Sequence, residues 1–342
     1  MKKLERQRRL TLEEWETLIA GRTPVLAQTL FAKARALRDH HYGKDIFIRG
    51  LIEFTNICKN DCLYCGIRRS NRHVKRYRLT VDEILTCCDA GYALGFRTFV
   101  LQGGEDPHFT DDRMTALVGA IKTRYPDCAL TLSIGERTET AYRRFYEAGA
   151  DRYLLRHETA DPEHYARLHP PELTLAHRMD CLRTLRAIGY QTGTGFMVGS
   201  PGQTPRQLAQ DMVFIQDLNP QMVGIGPFIP HHDTPFASEP AGALELTLFM
   251  LGLLRLTLPK ALLPATTALG SLTPEGRVLG IQAGANVIMP NLSPETHRKD
   301  YALYDGKLSS GGEAAEGLRI LKDQMAAIGH RVVTARGDSK NC

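Results

Sequence analysis

Short runs rich in β-branched and apolar residues alternate along this chain with longer stretches in which apolar positions recur every three or four residues. The short runs, at 46–54, 98–102, 129–133, 152–156, 191–198, 222–228, 262–266 and 286–289, predict strands. The stretches between them, at 80–95, 111–124, 136–148, 175–189, 204–217, 244–258 and 275–283, predict helices, several opening on Thr, Asp or Pro and closing at Gly. Every strand-to-strand connection is too long for a hairpin, so the strands pair in parallel through crossover helices. Eight such units predict an α/β fold, a (β/α)8 TIM-type barrel; a doubly wound parallel sheet is the alternative. Residues 11–42 read as two helices ahead of the first strand, and the end of the chain as a polar loop followed by one helix over 313–328. No repeat or low-complexity linker marks a second domain. The expected organisation is 1–45 as N-terminal helices packing on the barrel, 46–292 as the barrel, and 293–342 as a C-terminal extension closing it.

With 43% hydrophobic and 24% charged residues among 342, the chain has the composition of a soluble globular protein with ample core. Its longest uncharged apolar stretch, 246–254, falls well short of the roughly 20 residues that span a bilayer, so no membrane crossing is expected. The formal net charge is +5, and the basic residues gather at 2–9 and 68–78. The second run lacks interleaved aromatics and reads as a solvated loop rather than a nucleic-acid site. The start of the chain is charged, with no secretory apolar segment, which points to a cytoplasmic protein with reduced cysteines.

Cys58, Cys62 and Cys65 stand as C-x3-C-x2-C. Three thiolates on a short loop hold three irons of a cubane cluster and leave the fourth open to a small molecule. A structural zinc site would need a fourth ligand, usually from a second cysteine pair, and no such pair is present. Of the other five cysteines, Cys87 and Cys88 are adjacent in a helical stretch, Cys128 and Cys181 read as buried small residues, and Cys342 stands near the end, none at ligand spacing.

In a barrel, function sits where the strands end and the βα loops converge. The second strand ends in Gln102-Gly-Gly-Glu-Asp-Pro107, where Gly103 and Gly104 allow close backbone approach and Glu105 or Asp106 can accept from an ammonium. The fourth ends in Arg156-His-Glu-Thr159, a density of charge that suits a barrel mouth better than a buried ion pair. The glycines of 193–203 match neither a dinucleotide fingerprint nor a P-loop, which disfavours a nicotinamide fold. His231, His232 and Asp233 are adjacent and read as a positioning loop rather than a metal site. Thr266 and Thr267 end the seventh strand with two hydroxyls suited to a carboxylate.

The cysteine spacing, Tyr64 before the last cysteine, and Gly103-Gly-Glu105 together resemble the radical S-adenosylmethionine superfamily. Longer strings, among them Cys62-Leu-Tyr-Cys-Gly66, Gly104-Glu-Asp-Pro107, Ala148-Gly-Ala-Asp-Arg-Tyr-Leu-Leu-Arg-His-Glu-Thr159, Met222-Val-Gly-Ile-Gly-Pro-Phe-Ile-Pro-His231 and Gly284-Ala-Asn-Val-Ile-Met-Pro-Asn291, resemble the HydE family of [FeFe]-hydrogenase maturases and run through nearly the whole chain. That resemblance implies a [4Fe-4S] cluster on Cys58, Cys62 and Cys65, and S-adenosyl-L-methionine chelating the open iron. It places Gly103, Gly104 and Glu105 at the methionine amine, Tyr64 on the adenine side, and Glu158 with Arg178 at the sugar and carboxylate. Arg156, Thr266, Thr267, Met289 and Tyr304 are the implied lumen groups for an iron substrate carrying CO, cyanide and cysteine, exchanged with partner maturases. Some members of the family carry a second cluster on cysteines near the C-terminus; residues 305–312 hold none, so one cluster is expected. The biotin-synthase and methylornithine-synthase group, acting on an amino acid or sulfur-containing small molecule, is the alternative.

Overall fold

The protein is described by a computed structural model covering residues 1–310 and 315–340. Three helices come first, α1 (Lys2–Gln7), α2 (Leu12–Ala20) and α3 (Pro24–Tyr42). Then follow β1 (Asp45–Ile48), β2 (Gly50–Thr55), α4 (Val81–Ala93), β3 (Thr98–Gly103), α5 (Asp111–Arg124), β4 (Ala129–Ser133), α6 (Glu139–Glu147), β5 (Arg152–Leu154), α7 (Pro162–Leu168) and α8 (Leu175–Ile188). The second half runs β6 (Gln191–Thr194), β7 (Met197–Val198), α9 (Pro205–Leu218), β8 (Met222–Val223), β9 (Gly226–Pro227), α10 (Leu244–Thr257), α11 (Thr267–Leu272), α12 (Gly276–Gln282), β10 (Val287–Ile288), α13 (Glu295–Arg298), α14 (Leu318–Ala327) and β11 (Arg331–Val333). The helix starts follow from their caps. Thr11, Thr80 and Thr204 each accept the backbone N–H three residues on, and Glu14, Glu83 and Gln207 close the box in return.

Strands β2-β3-β4-β5-β6-β8 form one parallel sheet. Single parallel bridges, Met222 to Leu262, Pro264 to Val287 and Leu51 to Asn291, carry the pairing from β8 back to β2, so eight segments ring a lumen. Tyr153 packs edge-on against Tyr142 of α6 at 5.0 Å, so its neighbours Arg152 and Leu154 face inward. Register then turns Leu51, Val100, Thr131, Gly193 and Met222 the same way. The opposite face, with Phe99, Leu101, Leu130 and Leu132, is fully buried under the helices.

Both ends of the ring are covered. At the N-terminal ends of the strands, β11 pairs with β1, and Arg152 reaches Asp338 at 2.7 Å and the Gly337 carbonyl at 3.1 Å. Thr98 donates to the Arg336 carbonyl and Gln191 to Asp338, both at 2.8 Å. At the other end, residues 299–310 cross over the site: the Leu303 carbonyl accepts from Gly66, the Pro230 carbonyl from Asp305, and Lys307 donates at 2.6 Å to the fully buried Glu53, which also accepts from Asn291. Removing one member of such a pair strands the other charge. Lys307→Met is expected to destabilise the fold by up to about 3–5 kcal/mol, read from anaerobic denaturant unfolding. An unchanged midpoint would refute this.

The predicted elements differ in detail. The 46–54 strand breaks at Arg49, and those at 191–198 and 222–228 break where Gly195 lies against the Gly224 carbonyl, too close for a Cβ. Residues 262–266 form bridges but no regular strand. The 136–148 helix starts only at Glu139, because Thr138 takes the N-cap, leaving Glu136 in the loop. Helices α1, α7, α11 and α13 were not anticipated; each is a turn or two long, below what periodicity resolves. Of the predicted 313–328 helix, residues 313–314 lie outside the described residues, and α14 follows a short 3-10 turn, Ala315–Gly317. The apolar α10 is buried from Thr247 to Thr257, and no described helix is long and apolar enough to cross a membrane.

Candidate active site

The loop after β2 carries the three cysteines, and it is tied from within. The Arg76 guanidinium donates to the carbonyls of Asn56 (2.6 Å), Ile67 (2.8 Å), Arg68 (2.6 Å) and Asn71 (3.0 Å). Asn56 donates to the Lys75 and Asp300 carbonyls and accepts from the Tyr77 amide. Arg68 pairs with Asp61 at 2.8 Å and Arg78 with Asp106 at 2.6 Å. The 68–78 run is therefore not simply a solvated loop: Arg76 supplies donors to desolvated loop carbonyls, and Arg68 and Arg78 brace the loop through Asp61 and Asp106.

Cys58, Cys62 and Cys65 are free thiols, each partly buried. Burial pushes Cys58 up, Cys62 well up and Cys65 up to about 12, and Cys58 raises both Cys62 and Cys65 further. Three soft donors, each costly as a thiolate unless it meets a cation, suit iron in a cluster. Gly104 sets the height of the loop. A Cβ there would run into the Ile57 carbonyl and come within 2.8 Å of the Cys58 Cβ. Gly104→Ala is expected to cost about 1–3 kcal/mol locally and to lower reconstituted iron content, as the loop is lifted off the barrel. Iron content equal to wild type would argue against that packing.

Behind the cysteines stands a charged wall built by β3, β4, β5 and α8. Glu105 is seated over Gly135, whose φ of +75° leaves no room for a side chain, and accepts from the Glu136 amide at 3.1 Å; its other oxygen lies 3.3 Å from Lys59. Glu136 in turn takes the Arg178 Nε at 2.6 Å, and Arg178 Nη1 donates to the Arg156 carbonyl at 2.9 Å. Burial opposes the Arg178 charge, but the neighbouring carboxylates Glu136 and Glu105 favour it. Arg156 Nη2 lies 3.0 Å from Glu158 Oε2. Yet Arg156 Nε and Nη2 and Glu158 Oε2 are buried without a hydrogen-bond partner. Glu158 is held at φ +65°; among the described residues the other two non-glycine residues with positive φ, Arg8 and Asn219, are helix caps. Cys62 lies in the field of both Arg178 and Glu158.

Tyr64 donates to or accepts from His169 at 3.3 Å, and His169 stacks on Tyr165 at 3.9 Å. Tyr304 is half-buried, bonded to Ser271 and within the field of Glu53 and Arg156. Thr266 donates to the Ile225 carbonyl at 3.3 Å, and Thr267 opens α11. Met289 packs against the apolar cluster of Met222, Leu262 and Val287. Sequence reasoning missed Glu136, the Glu53–Lys307 pair and a buried His157–Asp211 pair at 3.2 Å beneath Arg156 and Glu158. Burial pushes Asp211 well above the carboxylate range and lowers His157, which is also bonded to Thr194. A cleft of about 790 Å³ opens outside the barrel between α7, α8 and α9; none of the cysteines lines it.

A three-cysteine loop over the C-terminal mouth of a parallel ring, faced by a charged wall, defines an enzyme of the radical S-adenosylmethionine class, and the sequence profile of that superfamily matches residues 52–215. The chain is 45% identical to the [FeFe] hydrogenase maturase subunit HydE of Thermotoga maritima, over 90% of its own length and 87% of that protein's. It is 30% identical to 3-methylornithine synthase of Methanosarcina barkeri, over 87% and 84%. Among solved structures, methylornithine synthase superposes with a TM-score of 0.86 at 27% identity, covering 97% of this chain and 96% of that one. The maturase HydG of Carboxydothermus hydrogenoformans shares the fold, with a TM-score of 0.81 at 22% identity over 97% and 78%. The chain belongs to the HydE family of the radical S-adenosylmethionine superfamily.

Proposed function

We propose that this enzyme cleaves S-adenosyl-L-methionine reductively to a 5′-deoxyadenosyl radical and acts on an iron–CO–cyanide–cysteine precursor in assembly of the [FeFe]-hydrogenase active-site cluster. The observation that carries the reading is three free thiols on one short loop at C-x3-C-x2-C spacing, in a chain 45% identical to HydE over most of both lengths. A single [4Fe-4S] cluster on Cys58, Cys62 and Cys65 supplies the electron that splits the bound sulfonium.

The chain's own groups do the rest. Gly103, Gly104 and Glu105 receive the methionine amine, Tyr64 flanks the adenine, and Arg178 with Glu158 takes the carboxylate and sugar. Arg156 Nε, buried without a hydrogen-bond partner, is a donor that a ligand would satisfy, while Nη2 and Glu158 Oε2 already face each other. Arg156, Thr266 and Thr267 face a cysteine-like carboxylate, with Met289 and Tyr304 lining the lumen. The N-terminal helices pack on the barrel, and the C-terminal extension closes it at both ends, excluding water from a radical that attacks almost any C–H bond. Partner maturases supply and receive the precursor, in a reducing cytoplasm consistent with seven free cysteines among the described residues.

Anaerobic reduction with S-adenosylmethionine and the iron precursor tests this: 5′-deoxyadenosine and methionine should form, and the precursor should be consumed. The resemblance to methylornithine synthase supports a second reading, a radical enzyme for an amino acid. Turnover with lysine or dethiobiotin in place of the precursor would favour it.

A further inference from the structure

Glu158 sits in a backbone conformation that a residue with a side chain rarely adopts, and the groups that hold it there come from several elements. Its φ is +65°, and unlike Arg8 and Asn219 it caps no helix. Four consecutive amides fix the turn. Glu158 donates to the Gly195 carbonyl at 3.1 Å, Thr159 to the His157 carbonyl at 2.8 Å, Ala160 to Asp211 Oδ1 at 2.6 Å and Asp161 to Thr159 Oγ1 at 3.3 Å. The His157 side chain points toward α9. Its Nε2 lies 3.2 Å from Asp211 Oδ1, its Nδ1 lies 2.8 Å from Thr194 Oγ1 at the end of β6, and its ring stands 4.8 Å from that of Phe214. His157, Thr194 and Asp211 are all fully buried. A carboxyl is a costly group to bury here, because Asp211 Oδ2 has no hydrogen-bond partner among the described residues. What Asp211 does supply is a single oxygen that fixes both the His157 ring and the Ala160 amide, on either side of Glu158.

We propose that His157 and Asp211 are positioning residues: from behind the strand end they hold the left-handed turn that aims the Glu158 carboxylate at the sugar of S-adenosylmethionine. The inference rests on the assignment of Glu158 to that sugar in the proposed function, and adds what keeps the carboxylate in place. Strained backbone persists only where its surroundings over-determine it. Without Asp211 Oδ1, the Ala160 amide and the His157 ring lose their common partner. Residues 158–160 then relax toward ordinary negative φ, and the Glu158 side chain turns with them. A carboxylate bonds to hydroxyls only over a narrow range of distance and angle, so a modest rotation weakens ligand binding. The cluster should be indifferent, since no described hydrogen bond joins residues 157–160 or Asp211 to the cysteine loop.

The test compares full-length holoenzymes: wild type, Asp211→Leu, Asp211→Asn, Thr194→Val, Glu158→Ala, and Asp211→Leu combined with Glu158→Ala. Affinity for S-adenosylmethionine is read from the change in the EPR signal of the reduced cluster on titration. Asp211→Leu should bind about 10-fold or more weakly with iron content unchanged. Asp211→Asn keeps the Oδ1 acceptor and should stay within about 2-fold of wild type, while Thr194→Val, isosteric but short of one hydroxyl, should lose about 3-fold. In the Glu158→Ala background Asp211→Leu should cause no further loss, because the group it positions is gone. A purely structural pair would shift the unfolding temperature and leave the affinity of the folded protein alone. Wild-type affinity in Asp211→Leu would overturn the proposal, as would wild-type affinity in Thr194→Val should Asp211→Leu fail to fold. So would an Asp211→Asn protein as weak as Asp211→Leu, or a further loss in the double variant. Wild-type affinity in Glu158→Ala would refute the sugar assignment itself, and the proposal with it.

Discussion

Replacing any one of Cys58, Cys62 or Cys65 by alanine is expected to abolish S-adenosylmethionine cleavage and to drop bound iron from on the order of four per chain to a small fraction of that. Each thiolate is proposed to hold one iron, and no other described cysteine stands on the loop. Cys87, Cys88, Cys128 and Cys181 are all buried in or beneath the helical layer, and no described cysteine outside the loop shares its electrostatic neighbourhood. Two thiolates leave a cubane with two open corners, which is lost or degraded rather than bound. Folding should survive, because the loop is held by Arg76, Asn56 and the Leu303 carbonyl rather than by the cysteines. Iron and sulfide analysis with EPR after reduction gives the measurement, and Cys181→Ala serves as the control that keeps both cluster and activity. A Cys62→Ala protein with full iron and normal 5′-deoxyadenosine formation would end the assignment. So, for the single-cluster expectation, would a wild-type protein carrying clearly more iron than one cubane holds.

How much of this was legible depends on how far apart the interacting residues lie. Alternating strands and crossover helices gave away the parallel ring, because period and connection length are local properties. The cysteine triad was legible for the same reason. Glu136 was not, since a continuous apolar period from 136 to 148 hid the N-cap at Thr138 that leaves it in the loop; Ser133-Ile-Gly135, the end of a strand, was the missed cue. A basic run such as 68–78 looks solvated from sequence, because no pattern reveals that Arg76 meets four carbonyls. His157 with Asp211, and Lys307 with Glu53, are joined across 54 and 254 positions, and only the fold brings them together.

The second large effect is expected at Arg178. Its Nε is committed to Glu136 at 2.6 Å and its Nη1 to the Arg156 carbonyl at 2.9 Å, so one guanidinium fixes both the acidic wall and the strand end that presents Arg156 and Glu158. Arg178→Met leaves Glu136, with a side chain only 10% exposed, facing a thioether, with the exposed His177 imidazole 3.6 Å away left beside it. Removing the main partner of a buried carboxylate in this way costs up to about 3–5 kcal/mol. A bound carboxylate also loses a charge-assisted partner, about 1.5–3 kcal/mol or roughly 10- to 100-fold in S-adenosylmethionine affinity. Arg178→Lys separates the two losses. It keeps the charge but has one ammonium where the native side chain spans two acceptors in different directions, so it should restore much of the stability and little of the affinity. Thermal unfolding reports the first, and the change in the EPR signal of the reduced cluster on titration with S-adenosylmethionine reports the second. The cysteine loop does not touch Arg178 by any hydrogen bond, so iron content should stay at the wild-type level in both variants. An Arg178→Met protein that binds S-adenosylmethionine as wild type does would show that the charged wall is scaffold alone.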